Sequence, residues 1–297
     1  MRVLIVGCGY VGLPLGAELV RLGHQVFGLR RSVANAELQR VGITPLQADI
    51  TQPATLATLP RGFDWVVNCV ASGGGGMDEY RQLYLQGMRN LIEWLVPSAQ
   101  RTSAEIPRLV YTSSTGVYGQ NDGSLVDETS PTEPATETAR VLVETEKLLF
   151  AAGRGKNFPA MVLRAAGIYG PERGYLLKQF LRGEARIEGA GARTLNMIHR
   201  ADLICAIIAA LERGRGGEIY NAVDDEPVSQ LEFFRWLAAK LGKLLPPVVP
   251  EDAATPRKRG LTNKRISNRK LKTELGFNFT YPDFQSGYSA EIERLIE

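Results

Sequence analysis

The apolar positions of this chain change period repeatedly along its first half. Arg2–Val6 is a short apolar run closed by glycine, the pattern of a buried strand. Leu13, Leu15, Leu19 and Leu22 then recur near helical spacing, with Gly23 as a stop signal. Gln25–Leu29, Ile43–Gln47 and Trp65–Val70 read as further strands, and Tyr80–Val96 as a helix that Pro97 ends. Arg108–Ser113 and Ala160–Arg164 are later strands, separated by a helical pattern from Glu137 to Ala152. Strands alternating with helices predict right-handed crossovers and a parallel sheet covered on both faces. The expected class is α/β, a Rossmann-type doubly wound parallel sheet.

After Gly170 the rhythm breaks. Glycine is dense from Gly183 to Gly191, Ala201–Leu211 reads as a helix and Glu218–Ala222 as a strand. Ser229–Leu241 reads as a helix with Ser229 as its cap. Pro246–Pro250 and the basic run Arg257–Arg265 read as a long loop. The expected division is a dinucleotide-binding domain over 1–170, with 195–225 returning to it. A smaller mixed α/β substrate lobe is expected over 171–194 and 226–297. The lobe is expected over the C-terminal strand ends, where open α/β sheets bind ligands.

Composition narrows the classes. The 297 residues are 44% hydrophobic and 23% charged, which excludes a disordered, collagenous or coiled-coil chain. The 35 basic and 32 acidic residues nearly balance, so nothing points to nucleic acid. Three cysteines without CxxC spacing and two histidines supply neither a disulfide framework nor a metal cluster. No apolar stretch reaches the ~18 residues of a membrane helix, and the N-terminus lacks the regions of a signal peptide. A cytoplasmic protein with no membrane partner is expected.

Candidate chemistry begins at Gly7-Cys8-Gly9-Tyr10-Val11-Gly12, between a strand and a helix. In that setting Gly7 permits the tight turn, Gly9 lets the backbone approach a pyrophosphate, and Gly12 lets helix and strand pack closely. The helix N-terminus presents free N–H groups and partial positive charge to phosphate. The second strand ends in Arg30-Arg31-Ser32, where an NAD-binding chain usually carries a carboxylate for the ribose 2′-hydroxyl. Two guanidinium groups and a hydroxyl suit a 2′-phosphate, so NADP is expected over NAD. Asp49 and Ile50 follow the third strand and have two readings, contacts to adenine or a turn and cap. Val70 and Ala71, at the end of the fourth strand, complete the expected cofactor set. The loop Ser72–Gly76 has two readings, a ligand-closing loop or a flexible one.

With these residues in hand, the chain resembles the extended short-chain dehydrogenase/reductase family, also called the NAD-dependent epimerase/dehydratase family. The resemblance runs nearly the whole length. It is carried by GCGYVG at Gly7, ADI at Ala48–Ile50, YLQGMRNLIEWL at Tyr84–Leu95 and YTSSTGVYG at Tyr111–Gly119. LRAAGIYGP at Leu163–Pro171, IHRAD at Ile198–Asp202 and RISNRKLKTELGF at Arg265–Phe277 extend it. The resemblance implies a substrate lobe, hydride exchange with a nicotinamide, and a catalytic hydroxyl at Ser114; the alternative for Ser114 is a strand-end hydroxyl serving the backbone. It also implies a small-molecule substrate, and by analogy a homodimer through Tyr80–Val96 and Glu137–Ala152.

The transfer fails at one place. The family's Tyr-x-x-x-Lys pair sets a phenol and its activating ammonium on one helix face. Aligned on Glu146–Leu149, this chain has Thr138 and Leu142 there. No tyrosine lies between Tyr118 and Tyr169. The chain therefore looks like the atypical branch, with three readings: another acid (Tyr118, Glu144 or His199), an NADP sensor, or lost chemistry. Tyr118 enters the candidate catalytic set beside Ser114, against a scaffold role; His199 reads more readily as a packed histidine, and Asp202 as a helix cap. Leu195 stands where nucleotide-sugar enzymes carry an arginine, with Arg193 nearby; Arg173, Arg182, Arg186 and Arg193 make the second lobe basic. GYVGLPL at Gly9–Leu15 also resembles the start of UDP-sugar dehydrogenases, but those chains are much longer and Cys205 falls in a helix-like run.

Overall fold

The computed structural model describes all residues except 33–35, 75, 97–105, 157, 251–261 and 297. Pro97 and most of the basic run Arg257–Arg265 lie outside the described residues. Seven strands form one sheet: β1 (Arg2–Val6), β2 (Gln25–Arg30), β3 (Thr44–Gln47), β4 (Trp65–Asn68), β5 (Arg108–Ser114), β6 (Ala160–Ala165) and β7 (Ile219–Ala222). Their order is β7-β6-β5-β4-β1-β2-β3, and every neighbouring pair is parallel. The chain direction of growth reverses between β1 and β4, so the crevice outside their C-terminal ends is the switch point. Val3, Leu4, Ile5 and Val6 are all buried, as a central strand covered on both faces requires.

Helix α1 (Gly12–Arg21) lays Leu15, Gly16 and Leu19 on the sheet. A Cβ at Gly16 would stand 2.4 Å from Ile43 Cδ1, so glycine sets how closely this helix approaches. Helix α2 runs through Met77–Arg81, a π-helical segment Gln82–Gln86, and Gly87–Leu95. Helix α3 (Glu137–Lys156) packs beside it, and Arg81 bonds Glu144 between them at 2.7 Å.

A second apolar cluster gathers Tyr169, Leu177, Phe180, Phe233, Phe234, Leu237, Phe284 and Tyr288. It joins α4 (Tyr175–Leu181), α6 (Gln230–Leu241) and α7 (Phe284–Ile296), while α5 (Arg200–Arg213) covers the sheet. Ser229 caps α6 in a full capping box with Glu232. Ile266, Leu271, Leu275 and Phe277 belong to the large core. One expectation is corrected. Asp202 does not cap α5: its carboxylate accepts from the Thr280 and Tyr281 amides at 2.8 and 2.9 Å. The cap is His199, whose Nδ1 accepts from Ala201 N at 3.2 Å.

Candidate functional site

The C-terminal edge of the sheet opens into a cleft of about 910 Å³. The glycine turn forms its nucleotide end. Gly7 has φ +92°, a conformation that disfavours a side chain, and a Cβ there would stand 2.8 Å from Val70 N. A Cβ on Gly12 would stand 2.2 Å from the Gly7 carbonyl oxygen, so that glycine holds helix against turn without facing the cleft. At Gly9 a Cβ would meet nothing within 4 Å: this is open backbone that a pyrophosphate can approach. Gly7, Gly9, Tyr10 and Val11 line the cleft with Val70 and Ala71. The turn fits a dinucleotide, with the N-terminus of α1 beside the phosphates.

The two arginines after β2 separate. Arg30 turns inward: Nε donates to the Cys8 carbonyl at 2.8 Å and Nη1 pairs with Glu37 at 2.9 Å. It braces the glycine turn and is already neutralised. Arg31 and Ser32 are exposed at the cleft edge. Asp49 lines the cleft and closes a turn by accepting from Thr51 N at 2.9 Å. Ile50 is buried and also lines the cleft; its carbonyl is held by Asn90 at 2.8 Å.

Toward the other end, Ser114 ends β5 and lines the cleft. Its Oγ accepts from Gly116 N at 3.1 Å, which leaves the hydroxyl proton to donate to a ligand oxygen. Tyr84, in the π-helical segment, reaches the glycine loop, where its Oη accepts from Ser72 N at 3.1 Å. π-helical segments recur at functional sites because they re-aim side chains.

Tyr118 is corrected. Its ring is fully buried and does not line the cleft. The phenol donates to Asn221 Oδ1 and accepts from Arg164 Nη1, both at 2.8 Å. Burial pushes its pKa up, against the pull of Arg164. Arg164 is itself clamped by Glu146 at 2.7 Å, and Glu146 accepts from Ser113 at 2.6 Å. This is a closed structural network beneath the site. The other two candidate acids are also engaged elsewhere. Glu144 pairs with Arg81 on the surface. His199 is buried against Glu291 at 3.2 Å, and burial pulls its pKa down while Glu291 acts in the opposite sense. Leu142 lines the cleft where the family's lysine would stand; Thr138 does not line it. Burial raises the Cys8 and Cys69 thiols to about 12, so neither is a thiolate near neutrality.

Sequence reasoning missed Lys264. It is 3% exposed, lines the cleft, and belongs to a segment remote from every recognised motif of the nucleotide end. Its neighbour Arg265 opens the C-terminal motif, but nothing local marks the lysine as buried. Among the described residues no cluster of histidine, cysteine or carboxylate side chains suits a metal, and no helix is long and apolar enough to cross a membrane.

Residues 3–222 match the NAD dependent epimerase/dehydratase family. The chain belongs to that family. Among relatives, "Protein YeeZ" of Escherichia coli (strain K12) is 31% identical over 291 residues, covering 95% of this chain and 97% of that one. A putative NAD-dependent epimerase/dehydratase from Methylobacillus flagellatus shares 32% identity and a TM-score of 0.79, covering 100% of this chain and 99% of that chain. DesIV, a dTDP-glucose 4,6-dehydratase from Streptomyces venezuelae solved with NAD and TYD bound, shares the fold. Its TM-score is 0.83 at 23% identity, covering 99% of this chain and 96% of that chain.

Proposed function

We propose that this family member is an NADP-binding oxidoreductase or epimerase-like enzyme acting on a small carbonyl or sugar-like substrate. The observation that carries the reading is the continuity of one cleft. It runs from the open backbone at Gly9, past Arg31, Ser32 and Asp49, to the Ser114 hydroxyl. In this reading the α1 N-terminus and Gly9 hold the pyrophosphate, and Arg31 with Ser32 holds the 2′-phosphate. Asp49 and Ile50 bound the adenine, and Val70 and Ala71 line the path inward. The bound nicotinamide supplies hydride chemistry. Ser114 orients the substrate oxygen by donating its hydroxyl proton, while the Gly116 amide holds its Oγ in place. A homodimer through α2 and α3, in the cytoplasm, goes with the same proposal, and sedimentation of the purified chain tests the dimer.

Calorimetric titration with NADP and NAD tests the cofactor. NADP is expected to bind at least tenfold tighter; tighter binding of NAD would overturn the assignment. One specific observation favours a second reading, a catalytically silent NADP sensor: Thr138 and Leu142 occupy the acid pair's positions, and Tyr118, Glu144 and His199 are engaged elsewhere. Oxidation of NADPH by a panel of ketones, 3-oxo acids and keto sugars, lost in Ser114→Ala, supports the enzyme. Tight NADP binding with no oxidation by any of them supports the sensor.

A further inference from the structure

The cleft is electrically lopsided. Five cations line it, Arg30, Arg31, Arg173, Arg193 and Lys264, against a single carboxylate among the described residues, Asp49 at the adenine end. Arg30 pairs with Glu37, and Arg193 lies 3.4 Å from Glu188. Lys264 differs from both. Its Nζ donates to the Tyr118 carbonyl at 2.7 Å and to the Thr262 hydroxyl at 2.9 Å, both neutral oxygens. Among the described residues no carboxylate stands within ion-pair distance of it. An ammonium has three donors, so one N–H is left over. Lysine is almost never fully buried unless paired, because an uncompensated charge loses its hydration. Among the described residues this one is buried without a counter-charge, in the wall of a ligand cleft.

Its place is informative as well. Tyr118, whose carbonyl anchors Nζ, follows Ser114 by one 3₁₀ turn, Thr115–Val117. The ammonium and the Ser114 hydroxyl therefore border the same end of the cleft. The cofactor's phosphates belong to the opposite end, at the glycine turn and Arg31. We propose that Lys264 seats an oxyanion, a carboxylate or a phosphate, carried by the small molecule whose reacting oxygen Ser114 orients. The inference rests on the reading of this cleft as a cofactor-and-substrate site, and it narrows the substrate to an anion. The missing counter-charge comes from the ligand, which explains a buried lysine left with neutral partners.

Burial pulls the amine down from the ordinary lysine value to about 8. The groups on Nζ, the Tyr118 carbonyl and the Thr262 hydroxyl, are uncharged, and Asn196 holds the Lys264 carbonyl at 2.9 Å. Charged side chains on the packed elements have other partners: Arg164 and Glu146 hold each other beneath Tyr118, and Glu128 accepts from Asn221 N. The Tyr118 phenol is turned to Arg164 and Asn221. Arg265, next in the chain, donates to the Gly123 carbonyl. Anion binding is therefore expected to follow the charge of Lys264 itself.

The test uses the full chain saturated with NADP. Acetoacetate, its neutral methyl ester and inorganic phosphate are titrated by calorimetry and ligand-observed NMR. At pH 7 acetoacetate or phosphate is expected to bind about tenfold tighter than the ester, the size of one charged contact. The stronger of the two anions names the carboxylate or phosphate source. Lys264→Met should abolish the preference and Lys264→Arg restore it. In the wild type the preference should fade as pH passes 8, but persist in Lys264→Arg, whose guanidinium stays charged. Equal binding of ester and anions, binding of none of them, or a preference retained in Lys264→Met would overturn the proposal. If Lys264→Met does not fold, the differing pH profiles of wild type and Lys264→Arg decide. Titration of NADP alone separates the two failures: no NADP binding overturns the reading of the cleft, whereas tight NADP binding without anion preference overturns only the anion seat.

Discussion

The two ends of the cleft are built by opposite means. The nucleotide end comes from short contiguous stretches: Gly7–Gly12, Arg30–Ser32 and Asp49–Ile50, each at the end of a neighbouring strand. Its geometry is steric and local, set at Gly7 and Gly12 by the lack of room for a Cβ. The end beyond Ser114 is assembled from distant segments, 112–116, 142, 193–196 and 262–266 among them. It rests on long-range polar contacts, such as Lys264 on the Tyr118 carbonyl and Asn196 on the Lys264 and Ile266 backbone. Local sterics make a site that a motif can announce. Long-range polar contacts make one that no short stretch of sequence announces.

The sharpest way to break the second kind of construction is at its base. Glu146 is 3% exposed and Arg164 4%, and they pair at 2.7 Å beneath β5 and the turn to Tyr118. Glu146→Ala leaves a guanidinium buried and robs Ser113 of its acceptor. The expected loss is about 3–5 kcal/mol in denaturant unfolding, the usual cost of stranding one member of a buried pair. The double variant Glu146→Leu with Arg164→Met should recover most of that loss, because it removes the stranded charge. A loss below about 1 kcal/mol for Glu146→Ala would show that the network is not what holds this floor.

The nucleotide end should break without such a collapse. Gly12→Ala forces a Cβ to within 2.2 Å of the Gly7 carbonyl, so the turn must open; NADP binding is expected to fall by about 100-fold or more. Gly9→Ala meets no protein atom within 4 Å and should melt with the wild type while still losing affinity, because the added methyl occupies the phosphate's approach. Equal melting losses in the two variants would erase the distinction between a packing glycine and a ligand-facing one.

This contrast also sorts what could be read from the sequence. The parallel sheet was legible because β1, β2 and β4–β6 are apolar runs of strand length, and the glycine turn because its three glycines stand at motif spacing between a strand and a helix. Strand β3 was legible too, although it is only half-buried, because turn residues bound it. What escaped depends on where side chains point. Arg30 and Arg31 look equivalent as neighbours, yet alternation along the strand end sends one onto Cys8 and Glu37 and the other to the edge. Tyr118 stands four residues after Ser114, yet the 3₁₀ turn between them rotates its phenol into the core. The burial of Lys264 exists only after residue 264 meets residue 118, a separation of 146 positions that no local pattern encodes.

That burial gives the far end a pH signature. The amine of Lys264 is lowered to about 8 in the folded chain from 10.5 when unfolded. Between these values the unfolded chain binds more protons, so stability rises with pH across that window. The strain of the buried charge is felt in full below about pH 8 and relieved as the folded amine loses its proton. Wild type is therefore expected to gain on Lys264→Met by about 3 kcal/mol between pH 8 and 10.5. Parallel pH profiles for the two proteins would show that the ammonium is solvated.

The smallest effect tests the near end at its two adjacent arginines, whose side chains point apart. If Arg31 alone meets the 2′-phosphate, Arg31→Ala should weaken NADP about tenfold and leave NAD unchanged, one screened charge contact at an exposed position. Arg30→Ala should instead weaken NADP and NAD alike, because its guanidinium holds the Cys8 carbonyl inside the turn that both cofactors use. The ratio of the two affinities is thus the decisive quantity: Arg31 moves it and Arg30 does not. Should Arg30→Ala change the ratio as much as Arg31→Ala, the inward arginine would have to swing off Glu37 to meet the phosphate, and the near end would be as dependent on ligand-supplied charge as the end around Lys264.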